Sequence, residues 1–264
     1  MIENAMDDQA KNGRVMIVGL GPGDPAQVTP AVQDAIAKAT DVIGYIPYVA
    51  RIAPRDGLVL HPSDNRVEGE RGRHALDLAA QGRQVLVVSS GDPGVFAMAA
   101  AVFEVLEGDV QRWQDVEIEV LPGITAMLAA SARAGAPLGH DFCVINLSDN
   151  LKPWSVIEKR LKLAAEADFA MAFYNPRSKS RPEGFEKTLE ILKAACGDDR
   201  LVIFARAVST PEEQISIVPL SKTTPDMADM RTMVLVGSST TRLVPQKDRV
   251  WVYTPRFVEG FASD

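Results

Sequence analysis

The sequence predicts an α/β protein of two domains, the first built on a mostly parallel sheet and the second on a mixed sheet. Three observations predict it. Apolar runs rich in valine end at glycine or proline turns and give way to apolar residues at helical spacing, as after Val15 to Gly19, Val85 to Val88 and Val116 to Leu121. Runs that are apolar at every position fit strands covered on both faces. Late in the chain, short strands joined by polar turns dominate, and these bring antiparallel pairing.

Residues 1–13 are polar and aperiodic and read as a flexible tail. Residues 14–135 form the first domain and 136–254 the second, with 255–264 as a C-terminal tail. The boundary follows from Ala134-Gly135-Ala136-Pro137-Leu138-Gly139, where periodicity is lost.

The opening strand, Val15 to Gly19, runs into Leu20-Gly21-Pro22-Gly23-Asp24-Pro25. This begins like a dinucleotide fingerprint and then departs from it. A G-x-G-x-x-G loop needs a helix N-terminus immediately behind its glycines to face the pyrophosphate. Here the first helix start is Thr29 as N-cap with Pro30 behind it, ahead of Val32, Ala35, Ile36 and Ala39. Asp24 also sets a negative charge where a phosphate would sit. Nucleotide phosphate binding is therefore not expected.

The strand from Val85 leads through Ser89-Ser90-Gly91-Asp92-Pro93-Gly94 to a helical pattern of Val95, Ala99, Val102, Phe103 and Leu106. The strand ending at Leu121 leads through Pro122-Gly123 to Thr125 and an alanine-rich helix. In the second domain a strand at Phe142 to Leu147 precedes a helix with Pro153 near its start and Ile157, Leu161, Ala164 and Ala165 on one face. Next come a strand at Phe169 to Tyr174 and a helix from Pro182 carrying Phe185, Leu189 and Leu192. Strands at Leu201 to Ala205, Gln214 to Pro219, Met233 to Gly237 and Val250 to Tyr253 complete the chain.

With 264 residues, 46% of them hydrophobic, the chain is long enough to bury a substantial core. No apolar run approaches the ~18 residues of a membrane span, and no secretory signal is apparent, so a cytoplasmic protein is expected. A formal charge of -7 opposes broad attraction to nucleic acid. Cys143 and Cys196 cannot make a disulfide framework and read as buried thiols. His61, His74 and His140 are scattered singly, so no metal site is expected.

Gly91-Asp92 lies where ligands bind in open α/β sheets, at the carboxyl end of a strand. The carboxylate of Asp92 either meets a ligand ammonium or hydroxyl, or caps the following helix. Thr125 reads as a helix cap. Arg177, Lys179 and Arg181 pack three cations into one short loop, which suits carboxylates or is a solvated face. A second basic group, Arg66, Arg71, Arg73 and His74, is interleaved with Glu68 and Glu70 and reads as a solvated flexible loop. His140-Asp141 and Ser148-Asp149-Asn150 flank the strand from Phe142. The Gly-x-Ser-x-Gly elbow of a serine hydrolase is absent.

The ordered set Gly19-Leu20-Gly21-Pro22-Gly23-Asp24-Pro25, Gly91-Asp92-Pro93 and Pro122-Gly123-Ile124-Thr125-Ala126 resembles the tetrapyrrole methylase family, whose members use S-adenosylmethionine. The resemblance runs from about Val15 to Val252. It implies two α/β domains enclosing a cleft, and a homodimer. Gly139-His140-Asp141-Phe142, Leu147-Ser148-Asp149-Asn150-Leu151-Lys152-Pro153-Trp154 and Tyr174-Asn175-Pro176-Arg177-Ser178 resemble the members that act at carbon 17 of the macrocycle. The implied reaction is methylation of precorrin-3B at carbon 17 with ring contraction to precorrin-4, in cobalamin biosynthesis. Carried over by position, the donor site comprises Gly91, Asp92, Val95, Thr125, Ala126, Tyr174, Ala207 and Thr232. The macrocycle would meet Gly19, Gly21, Gly23 and Asp24, with Arg177, Lys179 and Arg181 on its carboxylates. Ring contraction needs proton movements, for which Asp24, His140, Asp149 and Asp92 are candidates. Competing expectations are a cobalt-containing acceptor, a relative that methylates RNA or protein, and a non-catalytic tetrapyrrole-binding protein. Hand-over of the macrocycle to neighbouring pathway enzymes is a further expectation.

Overall fold

The computed structural model describes residues 13–64 and 67–257. Residues 1–12 of the expected N-terminal tail, Arg66 of the second basic group and residues 258–264 of the expected C-terminal tail lie outside the described residues. The chain divides into two compact units, Met1–Thr125 and Ala126–Asp264. The lost periodicity around residue 135 coincides with a two-residue strand inside the second unit.

In the first unit the elements are β1 (Arg14–Gly19), α1 (Pro30–Lys38), β2 (Asp41–Tyr45), α2 (Ile46–Val49), β3 (Val59–Ser63), α3 (Glu68–Ala79), β4 (Gln84–Ser89), α4 (Met98–Gly108) and β5 (Glu117–Leu121). The five strands pair in the order β3-β2-β4-β1-β5, and every pairing is parallel. Because strand side chains alternate between faces, Val15, Ile17, Val85 and Val87 pack with Ala75, Leu76 and Val102 of α3 and α4. Met16, Val18, Leu86 and Val88 pack on the opposite face with Val32 and Ala35 of α1. This double coverage explains why β1 and β4 are apolar at almost every position. The start of α1 is as expected, with Thr29 Oγ1 accepting from Val32 N–H at 3.3 Å and Pro30 at the first position.

The second basic group departs from the expected solvated loop. Arg71, Arg73 and His74 lie on α3, and Arg71 is only 5% exposed. Its guanidinium donates to Ser63 Oγ at 2.9 Å and to the carbonyl of Asp64 at 2.9 Å. These partners make its burial tolerable. The density of charge concealed a buried position.

The second unit contains α5 (Ala126–Ala134), β6 (Gly135–Ala136), β7 (Phe142–Asn146), α6 (Trp154–Glu166), β8 (Ala170–Tyr174), α7 (Glu183–Ala195), β9 (Leu201–Arg206), β10 (Gln214–Pro219), β11 (Thr232–Val236), β12 (Arg242–Gln246) and β13 (Arg249–Tyr253). Its main sheet has the order β10-β9-β11-β8-β7, and a small sheet has the order β12-β13-β6. Only β7 and β8 are parallel in the main sheet; the rest is antiparallel. Ile157, Leu161, Phe185, Leu189 and Leu192 from α6 and α7 bury one face against Met171, Phe173, Val202, Phe204, Val234 and Val236. The two cysteines are free and half-buried, less enclosed than expected. Burial still raises both thiols above their ordinary range.

Among the described residues no helix is long and apolar enough to cross a membrane. No group of His, Cys, Asp and Glu among them is arranged to hold a metal ion.

Candidate active site

Three loops meet at the carboxyl edge of the first unit's sheet. They leave β1, β4 and β5, which are neighbours in that sheet. A Cβ on Gly19 would lie 2.3 Å from the Gly91 carbonyl oxygen, and one on Gly123 would lie 2.2 Å from the same atom. Only glycine permits this approach. Gly21 N–H donates to the Gly91 carbonyl at 3.1 Å, and Gly91 N–H donates back to the Gly21 carbonyl at 3.0 Å. The Leu20 and Gly21 amides are therefore already engaged by the β4 loop, leaving them unavailable to a phosphate.

Asp92 ties this cluster together. Its Oδ1 accepts from Gly94 N–H at 2.8 Å, and its Oδ2 accepts from Gly123 N–H at 3.0 Å. The carboxylate thus both shapes its own turn and crosses to the β5 loop. Each oxygen keeps acceptor capacity for a further donor. Val95 is half-buried and Thr125 is 4% exposed. The helix after this loop begins at Met98, later than the periodicity from Val95 suggests.

Asp24 Oδ1 accepts from Ala26 N–H at 2.9 Å and caps a short 3-10 turn at Pro25–Gln27. Gly23 beside it is half-buried. Sequence reasoning missed Arg51, whose guanidinium donates to the carbonyls of Leu20 and, at 3.2 Å, of Gly21. Burial pushes this arginine below its usual range. No local pattern around Arg51 signals a contact to a loop thirty residues earlier.

The second unit brings its predicted residues to one sheet edge. Tyr174 ends β8, Thr232 begins the antiparallel β11, and Arg206, opposite Thr232, ends β9 just before Ala207. Asn146 ends β7 opposite Tyr174. Tyr174 Oη accepts from Met127 N–H at 3.2 Å, which brings the start of α5, and with it Ala126, to this edge. Ala207 is buried with a φ of 49°. Its N–H donates to the Arg231 carbonyl at 2.8 Å, and its carbonyl accepts from Thr210 Oγ1 at 2.8 Å. The Thr232 hydroxyl donates to Asp229 Oδ1 at 2.8 Å and accepts from Asp229 N–H at 3.1 Å. Burial opposes ionisation of Asp229, but hydrogen bonds from Thr232, Arg206 and the Arg231 backbone outweigh it and hold the carboxyl low.

The basic loop is more ordered than a solvated face. Asn175, with a φ of 52°, opens it and donates from Nδ2 to Asn146 Oδ1 at 3.1 Å. Arg181 N–H closes the turn on the Ser178 carbonyl at 3.1 Å. Lys179 is exposed, whereas Arg177 is half-buried and the Arg181 side chain is 16% exposed. His140 sits at the amino end of β7, its Nδ1 3.7 Å from Asp141 Oδ2. Asp149 lies beyond the other end, so a five-residue strand, roughly 17 Å long, separates the two.

The sequence matches the family model described as Tetrapyrrole (Corrin/Porphyrin) Methylases over residues 14–224. The chain belongs to the tetrapyrrole methylases. Among members of this family it is 49% identical over 249 residues to a precorrin-3B C(17)-methyltransferase of Sinorhizobium sp, covering 94% of this chain and 98% of that protein. It is 37% identical to a probable cobalt-factor III C(17)-methyltransferase of Salmonella typhimurium, covering 85% of this chain and 92% of that protein. A crystal structure of the methyltransferase CobJ superposes with a TM-score of 0.89 at 65% identity, covering 92% of this chain and all of that one.

The donor residues implied by the resemblance fit S-adenosylmethionine chemically. They offer one carboxylate, at Asp92, three hydroxyls, at Thr125, Tyr174 and Thr232, and backbone groups, with no cation among them. A donor bearing a sulfonium and an ammonium but no phosphate suits such a set.

Proposed function

We propose that this chain transfers a methyl group from S-adenosylmethionine to carbon 17 of precorrin-3B, coupled to ring contraction to precorrin-4, in cobalamin biosynthesis. The observation that carries the reading is 49% identity to a precorrin-3B C(17)-methyltransferase along nearly the whole of both chains. In this reading Gly91, Asp92, Val95, Thr125, Ala126, Tyr174, Ala207 and Thr232 hold the donor. Gly19, Gly21, Gly23 and Asp24 face the macrocycle, and Arg177, Lys179 and Arg181 meet its carboxylates.

When bound, the donor supplies an electrophilic methyl group whose transfer disperses the sulfonium charge. The protein's part is to align that methyl with the macrocycle carbon and to keep water out. Backbone locked by Asp92 and by the Gly19, Gly91 and Gly123 contacts gives the donor site a fixed shape. Asp24, on the macrocycle loop and with one carboxylate oxygen engaged by Ala26 N–H, is the group we assign to proton movement in ring contraction.

A cobalt-containing acceptor is the second reading, favoured by the Salmonella relative at 37% identity. The higher identity to the precorrin-3B enzyme supports the metal-free acceptor as the first reading. We further propose a cytoplasmic homodimer, which light scattering tests by mass. Calorimetric titration with S-adenosylmethionine and its demethylated product tests the donor assignment. Micromolar binding of both supports it, and failure to bind either overturns it.

A further inference from the structure

The loop leaving β7, Ser148 to Lys152, carries two charged residues, Asp149 and Lys152, to which the proposed function gives no role. Asp149 Oδ1 lies 3.9 Å from Nε of Arg181. The Asp149 side chain is 45% exposed, while that of Arg181 is 16% exposed. Lys152 Nζ donates to the Ser148 carbonyl at 2.9 Å, which folds its ammonium back onto the same loop. Leu151, between them, is 98% exposed. In the neighbouring loop the Arg177 Nε is buried and has no hydrogen-bond partner among the described residues. Burial lowers the Lys152 ammonium, and the positive charges of Arg160 and Arg181 lower it further, with Asp149 opposing them. The exposed Asp149 carboxylate thus lies beside Arg181 and within electrostatic reach of Lys152.

An ion pair at 3.9 Å with a half-exposed partner is weak. A buried guanidinium N–H without an acceptor is unfavourable and is relieved by an incoming acceptor. Asp149 therefore holds Arg181 weakly enough to be displaced by a second carboxylate with better geometry.

We infer that Asp149 is an internal stand-in for a substrate carboxylate. A peripheral carboxylate of the tetrapyrrole takes its place at Arg181, and Lys152 and Arg177 complete the clamp. The inference rests on the proposed function, since that acceptor supplies the carboxylates. It gives Asp149 a role in charge selection instead of proton transfer, and it adds Lys152 to the substrate-binding residues.

Steady-state kinetics of the full chain with precorrin-3B test it, comparing wild type with D149N, K152A, R181A and D149N/R181A. The expected result is a KM for precorrin-3B lowered about threefold in D149N and raised about tenfold in K152A and R181A, with the KM for S-adenosylmethionine unmoved. The gain from D149N should vanish in the R181A background. A D149N variant that loses kcat with KM unmoved overturns the inference, as does a K152A variant of unchanged KM. If wild type does not methylate precorrin-3B, the proposed function fails instead. Fluorescence titration with a porphyrin whose rim carries carboxylate side chains then tests the clamp alone. Tighter binding by D149N than by wild type supports the clamp, and equal or weaker binding overturns it.

Discussion

The carboxylate of Asp92 accepts a hydrogen bond from the Gly123 backbone at 3.0 Å, joining the loop after β4 to the loop after β5. Because Oδ1 simultaneously holds Gly94 N–H at 2.8 Å, both oxygens face backbone donors. An asparagine can satisfy only one of them and turns its own NH2 toward the other. Asp92→Asn should therefore weaken S-adenosylmethionine binding about tenfold, on the order of 1.4 kcal/mol, and lower Tm by a few degrees. Calorimetry and thermal unfolding check this, and unchanged donor affinity contradicts it.

The same cluster makes Gly123 intolerant of a side chain. A Cβ there would meet the Gly91 carbonyl at 2.2 Å and the Gly19 carbonyl at 2.7 Å, both backbone atoms that cannot swing aside. Gly123→Ala should cost about 2 kcal/mol or more and abolish donor binding before it abolishes folding. Urea unfolding alongside donor titration separates the two losses.

Asp24 separates the macrocycle step from donor binding. Asp24→Asn keeps an acceptor for Ala26 N–H but cannot carry a proton. The expected outcome is kcat reduced about 100-fold with donor affinity retained. Rapid-quench turnover together with calorimetry reads both quantities.

Away from the site, Asp41 couples stability to acid pH. The residue is 1% exposed, and burial alone would raise its carboxyl. Hydrogen bonds from Arg83, His61 and Thr40 outweigh burial and lower it from 3.8 to about 2. A folded value below the unfolded one adds stability that is fully present above about pH 4 and is lost as pH falls toward about 2. The contribution is about 2 kcal/mol, and Asp41→Asn should remove this part of the acid dependence. Urea titrations between those pH values on wild type and variant measure the difference.

The fold was legible where local chemistry agrees with the global arrangement. Thr29-Pro30 marks a helix start in any context, and the uninterrupted apolar runs of β1 and β4 report two covered faces. β2 and β3 do not stand out in the sequence. β3 is an edge strand containing Pro62, which an edge tolerates because one side of the strand needs no partner. Arg71 read as solvated because only its through-space partners, Ser63 and Asp64, make its burial tolerable. Glycine and proline marked the site loops, but the mutual contact of Gly19, Gly91 and Gly123 depends on strand order β4-β1-β5, which no single motif encodes. Arg51 was invisible for the same reason.

The most direct measurement is incubation of the purified chain with metal-free precorrin-3B and S-adenosylmethionine carrying a carbon-13 methyl group, followed by NMR of the macrocycle. The predicted result is one labelled methyl on carbon 17 of a ring-contracted product. A labelled methyl at another carbon, or an unlabelled macrocycle beside intact donor, would contradict the account.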